Sequence, residues 1–426
     1  MAGPARMPSE PMEWGALAQA AGPAPDDRTD GPTSPQARLR LFGRPEAEVR
    51  VTLYRDHHAW CPYCQKVWLW LEEKRVPHRT CKVTMFCYGR KEPWYTERVP
   101  SGMLPALELD GRLITESDRI LEALEQGFGP LGEAMGSSRA LPLRQLERQL
   151  FRSWCQWLCV PSRGAADEAR GREGFDRWAA RFATALEAEP GPFLLGDLGT
   201  VDLIFVPYVE RMNASLAYYK GYLLRERHPS IDRWFRALEE RSTYLGTQSD
   251  FHTHVHDLPP QMGGCHAGGG GEQRDLAARI DAGPWPIVDP PGPDPETSQR
   301  EPADAAGVAL VRVLRHRRPL LERNPLGSDG FDRPLRCALT RLISGQDCPP
   351  PPGSARGLRY LRDRISVPRD MPLHAARLLR RTLEATARLD PADPHGAGDP
   401  IPVQHRRDQD PSPFLAAATR PPGGRA

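Results

Sequence analysis

Trp60-Cys61-Pro62-Tyr63-Cys64 follows an alternating apolar run and opens a run with helical spacing. Val49-Arg50-Val51-Thr52-Leu53-Tyr54 alternates as a strand does, and Val67 and Leu71, with Trp68 and Trp70, suit a buried helix face. A thiol is therefore expected at a helix N-terminus. Free N–H groups and the positive end of the helix dipole favour a thiolate there. Pro62 fits the first helical position, where its missing donor costs nothing. A C-x-x-C pair between strand and helix is a redox signature. The competing reading is a zinc knuckle or two packed thiols, but no second C-x-x-C accompanies the pair.

The surrounding pattern extends this unit. Arg79 to Thr84, after Pro77, reads as a second strand. Ala106–Leu109 and Leu113–Thr115 flank Asp110-Gly111, a strong hairpin signal. A helix follows from Ser117 to Gln126, with Ile120, Leu121 and Leu124 on one side. The order β-α-β, β-β-α is that of a thioredoxin fold. Beyond Gly136 the apolar spacing turns helical around 141–160, 174–188, 201–222 and 231–240. Gly199 reads as an N-cap there, with Asp202 three positions on favouring the positive helix end.

The expected organisation is a weakly ordered arm over 1–45 and a thioredoxin-like α+β domain over 46–132. An all-α domain over 138–250 and a His- and Pro/Gly-rich connector and linker over 251–304 follow. A helical extension over 305–392 and a disordered tail over 393–426 complete it. Within the arm, Trp14 to Ala21 could form a short helix that docks elsewhere. Fifty-seven basic against 55 acidic residues leave a net charge of +2, which gives no reason to expect nucleic acid. No apolar run reaches bilayer length, so no membrane is expected. Nine scattered cysteines argue for a reducing compartment. The acidic residues near the start make a poor transit peptide and no signal peptide.

With Cys61-Pro62-Tyr63-Cys64, Met103-Leu104-Pro105, Glu116-Ser117 and an all-α second domain, the chain resembles a glutathione transferase. Cysteine at the motif is similar to the omega, lambda, dehydroascorbate-reductase and related thiol-transferase classes. The connector Thr247-Gln248-Ser249-Asp250-Phe251-His252-Thr253-His254-Val255-His256-Asp257-Leu258-Pro259-Pro260-Gln261 and the long extension resemble the iota class of photosynthetic organisms. The resemblance implies a glutathione-dependent thiol transferase or reductase with Cys61 as nucleophile. Cys64 either resolves the mixed disulfide or leaves that step to a second glutathione. It also implies a cis bond at Leu104-Pro105 that exposes the Leu104 backbone to glutathione. Glu116 would meet the γ-glutamyl ammonium and Ser117 its carboxylate, while Lys91 or Arg90 are candidates for the glycyl end. Without the ligand, Ser117 is an N-cap and Glu116 a solvated charge. Tyr63 is assigned to the glutathione site. Acceptors would be small molecules or glutathionylated thiols, and the protein a monomer or homodimer of the cytoplasm, with the plastid as alternative. Two rival readings are a non-catalytic protein holding a ligand or a [2Fe-2S] cluster, and a glutathione-conjugating transferase.

Other residues carry weaker signals. Trp154, Trp157, Tyr208, Tyr218, Tyr219 and Tyr222 are candidates for an acceptor cleft, though such aromatics are more often core. His252, His254 and His256 would share one face if extended, yet no metal is assigned, because the spacing suits a polar connector better. Cys155 and Cys159 share a helix face and read as packing, as do Cys81 and Cys87. The arginines of the extension, including Arg377, Arg380 and Arg381, read as solvated surface.

Overall fold

A computed structural model describes residues 10–22, 27–282 and 294–393. In chain order, α1 is Trp14–Ala21, β1 Leu39–Arg40, β2 Val51–Asp56, α2 Pro62–Glu73, β3 His78–Val83, α3 Pro93–Arg98, β4 Ala106–Leu109, β5 Arg112–Thr115 and α4 Ser117–Phe128. Helices α5 (Ala140–Cys159), α6 (Ala165–Glu187), α7 (Thr200–Lys220), α8 (Leu224–Arg227), α9 (Pro229–Glu239), α10 (Ser242–Thr247), α11 (Phe251–Met262) and α12 (Gly271–Ala282) follow. The chain continues with α13 (Ala305–Arg315), α14 (Arg317–Glu322), α15 (Gly327–Ser344), α16 (Ala355–Arg364) and α17 (Leu373–Ala387). None of the described helices is long and apolar enough to cross a membrane.

Two compact units emerge. One holds 26–277 and 291–299; the other holds 1–25, 278–290 and 300–426. In the first, the sheet order is β1-β3-β2-β4-β5. Strand β2 runs parallel to β3, with Val51 opposite His78 and Asp56 opposite Val83, and antiparallel to β4, with Tyr54 opposite Ala106. The β4–β5 hairpin turns at Asp110 and Gly111, whose φ values of 51° and 81° are what the Asp-Gly signal predicts. This is the thioredoxin-like arrangement, and the helical domain α5–α11 follows it. Pairing of Trp70 Nε1 with Thr200 Oγ1 at 3.1 Å joins α2 to α7.

Several expectations need correction. The segment before residue 46 is not simply a loose arm. Strand β1 adds to the sheet edge beside β3, and Arg40 is buried there because Glu72 pairs with it at 3.1 Å. Thr33 Oγ1 donates to the same carboxylate at 2.8 Å, so Arg40, Glu72 and Thr33 are paired with one another. The connector is also ordered. Asp250 caps α11 by accepting from Thr253 N at 2.9 Å, which starts a helix where extension was the premise for aligning three histidines. Pro259 cannot donate to the Val255 carbonyl, and Tyr219 Oη donates to that oxygen instead, at 2.7 Å. Part of the linker packs too: Asn213 Nδ2 donates to Pro295 O at 2.9 Å, and Arg225 Nη1 to Glu296 O at 3.1 Å. The rest of the proline run, and the tail beyond 393, lie outside the described residues.

The second unit is helical, as the extension's spacing predicts. Its core joins α13, α15, α16 and α17 through residues such as Leu310, Phe331, Leu335, Leu358, Leu379 and Leu383. Leu17 of α1 is fully buried in that core, and Trp14 Nε1 donates to Asp332 Oδ1 at 2.7 Å. Residues from the expected loose arm thus complete a core some 300 positions away. The arginines are not all solvated: Arg377 and Arg380 are buried, and Arg380 Nη2 donates to Ile365 O at 2.7 Å.

Candidate active site

The β2–α2 junction builds the site. Strand β2 delivers Asp56 at its end, a turn through Ala59 at φ 62° reverses the chain, and Cys61 becomes the N-cap of α2 with Pro62 at its first position. Cys61 keeps 6% of its surface exposed, whereas Cys64, inside the first turn, keeps 1%. Burial pushes the Cys64 thiol well up, and its hydrogen bond with Cys61 and the charge of that sulfur add to this. The two sulfurs are thus unequal: one belongs to the N-cap residue and keeps some exposure, and the other lies inside the first turn as a thiol.

Cys61 Sγ lies 4.0 Å from the Leu104 carbonyl, and the Leu104-Pro105 bond is cis. The ladder then carries the grouping across the sheet. Ala106 stands opposite Tyr54 on one side and Thr115 on the other, so Pro105 and Glu116 continue adjacent strands toward the same sheet end as Cys61. Glu116 is the N-cap residue of α4 at φ 68°, an unusual conformation for a residue with a side chain, and it is exposed. Ser117 is buried at the first position of the helix rather than capping it. Tyr63 is 38% exposed and meets Tyr208 edge-on at 5.8 Å. Lys91 Nζ donates to Thr84 O at 2.8 Å, and Arg90 is exposed.

Two charged groups that sequence reading missed support the motif. Asp56 is fully buried. Its Oδ2 accepts from Trp60 N at 2.7 Å, its Oδ1 has no hydrogen-bond partner among the described residues, and a carboxylate oxygen lies within 4.8 Å of both sulfurs. An oxygen so placed can take a proton from Cys64. Arg211, buried on α7, donates to Trp60 O at 2.6 Å, Gln65 Oε1 at 2.8 Å and Pro207 O at 2.7 Å. One planar fork therefore fixes both the residue before Cys61 and the end of the first turn of α2. The neighbouring Glu210 accepts from Ser249 N at 3.1 Å and from His254 Nε2 at 2.7 Å. Burial pulls the His254 pKa down, with Arg211 adding to the effect, which leaves a neutral imidazole donating to the carboxylate. The signals were available: Arg55-Asp56 ends an apolar strand, and Glu210-Arg211 interrupts an apolar helix.

His252 and His256, one helical turn apart, stack edge-on at 4.9 Å, while His254 turns to Glu210. Among the aromatics proposed for a cleft, Trp154, Trp157, Tyr208, Tyr219 and Tyr222 are buried, because their ring faces pack against one another and neighbouring phenylalanines. A pocket of about 360 Å³ opens between α5 and α6 around Trp157, Val160, Asp167 and Arg170, and no candidate site residue except Trp157 lines it. Cys155 and Cys159 are half-buried rather than packed away, and hydrogen bonds from Cys155 and Cys265 pull the Cys159 thiol down.

Residues 60–126 match the family model of the glutathione S-transferase N-terminal domain. Glutathione S-transferase DHAR2 of Arabidopsis thaliana is 27% identical over 191 residues, 44% of this chain and 84% of its own length. Glutathione S-transferase L3 of the same plant is 26% identical over 236 residues, 54% of this chain and 90% of its own. Among solved structures, glutathione transferase Omega 3C of Trametes versicolor has a TM-score of 0.40 at 24% identity, covering 55% of this chain and 94% of its own.

Proposed function

We propose that this chain is a glutathione-dependent thiol transferase and reductase with Cys61 as its nucleophile. The observation that carries the reading is the Cys61 sulfur at the N-terminus of α2, 4.0 Å from the Leu104 carbonyl and above a buried Cys64. The likeness to relatives named glutathione S-transferase supports it. A cysteine-type chemistry, and within it the iota-like connector and extension, belongs to the same proposal. So does a reducing compartment, cytoplasmic or plastid; the relatives carry both cytosolic and chloroplastic names.

In the first step the Cys61 thiolate attacks the glutathionyl sulfur of a mixed disulfide. The Cys61–glutathione disulfide forms, the old sulfur–sulfur bond breaks, and the acceptor leaves as a thiolate that takes a proton. A second glutathione thiolate can then attack, releasing glutathione disulfide and regenerating Cys61. Alternatively Cys64 gives its proton to Asp56 and closes a Cys61–Cys64 disulfide, releasing glutathione; two external glutathiones later reduce it. Glutathione is held in this reading by the Leu104 backbone, by Tyr63 and Pro105 at the mouth, and by Glu116 and Ser117 at the start of α4. Burial of Cys64 supports Cys61 as the attacking sulfur, because attack requires access and thiolate character.

The test is turnover of a glutathionylated peptide by the full chain and by Cys61→Ser and Cys64→Ser. The expected result is loss of at least about 10³-fold for Cys61→Ser. Full activity in that variant would overturn the assignment.

A further inference from the structure

Away from that site, the unit holding α13–α17 contains a second thiol pair. Cys337 lies on α15 and Cys348 on the loop that leaves it. Both side chains are completely buried, and their sulfurs are 3.0 Å apart, closer than two unbonded sulfurs ordinarily sit and about 1 Å longer than a disulfide bond. Local sequence explains the approach. Gly345, in the left-handed region at φ 69°, ends α15 and turns the chain back, and Arg341 pairs with Asp347 to hold the returning strand of chain. The residues after Cys348 are Pro349-Pro350-Pro351, a stiff segment, and Cys337 Sγ lies 3.8 Å from Pro349 O. Sulfur therefore faces sulfur across a short loop whose two ends are fixed by other contacts.

We propose that Cys337 and Cys348 form a dithiol–disulfide couple that staples the α15–α16 loop, with a low-molecular-weight disulfide such as glutathione disulfide as oxidant. One thiolate of the pair attacks the oxidant, forming a mixed disulfide and releasing one thiolate. The second protein thiol loses its proton and displaces the other half. Two electrons pass from the pair to the oxidant, which leaves as two thiols. Burial pushes the Cys337 thiol up to about 12, aided by the hydrogen bond with Cys348, while Arg333 and Arg336 oppose the shift. The reaction is therefore slow and passes through opening of the loop, which sets this pair apart from Cys61. The couple does not rest on the reading of Cys61.

The experiment equilibrates the full chain in glutathione buffers from fully reduced to fully oxidised, alkylates it in denaturant, and maps the digested peptides by mass. Wild type and the Cys61→Ser/Cys64→Ser double variant are compared, so that oxidation at the first site cannot be mistaken for the second. The expected result in both is a linked peptide joining Cys337 to Cys348, about 2 Da lighter than the two free thiol peptides together. Loss of both alkylation sites should accompany it. Native-state proteolysis within 345–354 should slow at least about 10-fold in the oxidised chain. Both cysteines remaining alkylatable after equilibration in the oxidised buffer would overturn the proposal. So would glutathione adducts that persist on either cysteine without closing. Because these outcomes are read on the unaltered pair, no Cys337 or Cys348 variant has to fold.

Discussion

Asp56 and Arg211 place charge where charge is costly, and each has a reason to be there. Arg211 makes three hydrogen bonds, one of them to the carbonyl just before the nucleophile. Asp56 satisfies one oxygen through Trp60 N, leaves the other without a partner among the described residues, and brings a carboxylate oxygen within 4.8 Å of both sulfurs. If that oxygen takes the Cys64 proton, Asp56→Asn should slow release of glutathione from the Cys61 adduct by about 10²-fold, while attack by external glutathione is unchanged. Stopped-flow quantitation of released thiol from pre-glutathionylated protein measures this, and equal rates would make Asp56 purely structural. Neither residue is marked as a site residue by the sequence alone, because the adjacent charges Arg55-Asp56 and Glu210-Arg211 in apolar runs report burial but not what faces them. The place of Cys61 at a helix N-terminus was legible from the strand and helix spacing around it, whereas Leu104-Pro105 and Glu116-Ser117 were singled out by the family resemblance and lie, respectively, before β4 and at the start of α4.

At the scale of elements, the capping of α7 shows how local signals carry energy. Gly199-Thr200-Val201-Asp202 reads as a helix start, and Asp202 accepts from Gly199 N and Leu194 N, each at 3.1 Å, with Trp234 Nε1 at 3.0 Å. Burial nevertheless pushes its carboxyl up to about 6, against those three bonds. The folded state therefore holds a proton that the unfolded chain releases near pH 4. This contribution is full below pH 4 and is lost as the pH rises through about 6, amounting to ~3 kcal/mol. Urea unfolding of wild type and Asp202→Asn from pH 4 to 7 should show wild type losing that much relative to the variant; parallel curves would contradict it. Helix α11 was less legible. Three alternating histidines and two prolines suggested an irregular connector, whereas the Asp250 cap and the Tyr219 hydroxyl supply the partners that let it coil.

Across the whole molecule, the thioredoxin-like and helical domains could be read from the order of their elements, and the extension from its periodicity. A docking helix at Trp14–Ala21 could be read as well, but not what it docks against. The proline- and alanine-rich composition of the first residues conceals Leu17, whose burial depends on helices more than 280 residues later in the chain, and no local pattern encodes that partner. Leu17→Ala should cost the extension's unit about 2 to 5 kcal/mol. The expected readout is earlier proteolysis of α13–α17 with thiol transfer by Cys61 retained. Unchanged protease resistance would mean that α1 adds nothing to that core.

The account stands or falls on which sulfur takes up glutathione. The full-length Cys64→Ser chain, treated with glutathione disulfide and mapped by peptide mass, should carry a stable glutathionyl group on Cys61, and the Cys61→Ser chain should carry none within the 60–64 motif. In wild type the same adduct should appear, and it yields to a Cys61–Cys64 disulfide if Cys64 is the resolving thiol or persists if a second glutathione is. An unmodified Cys61 in the Cys64→Ser chain would contradict the assignment of this site to glutathione.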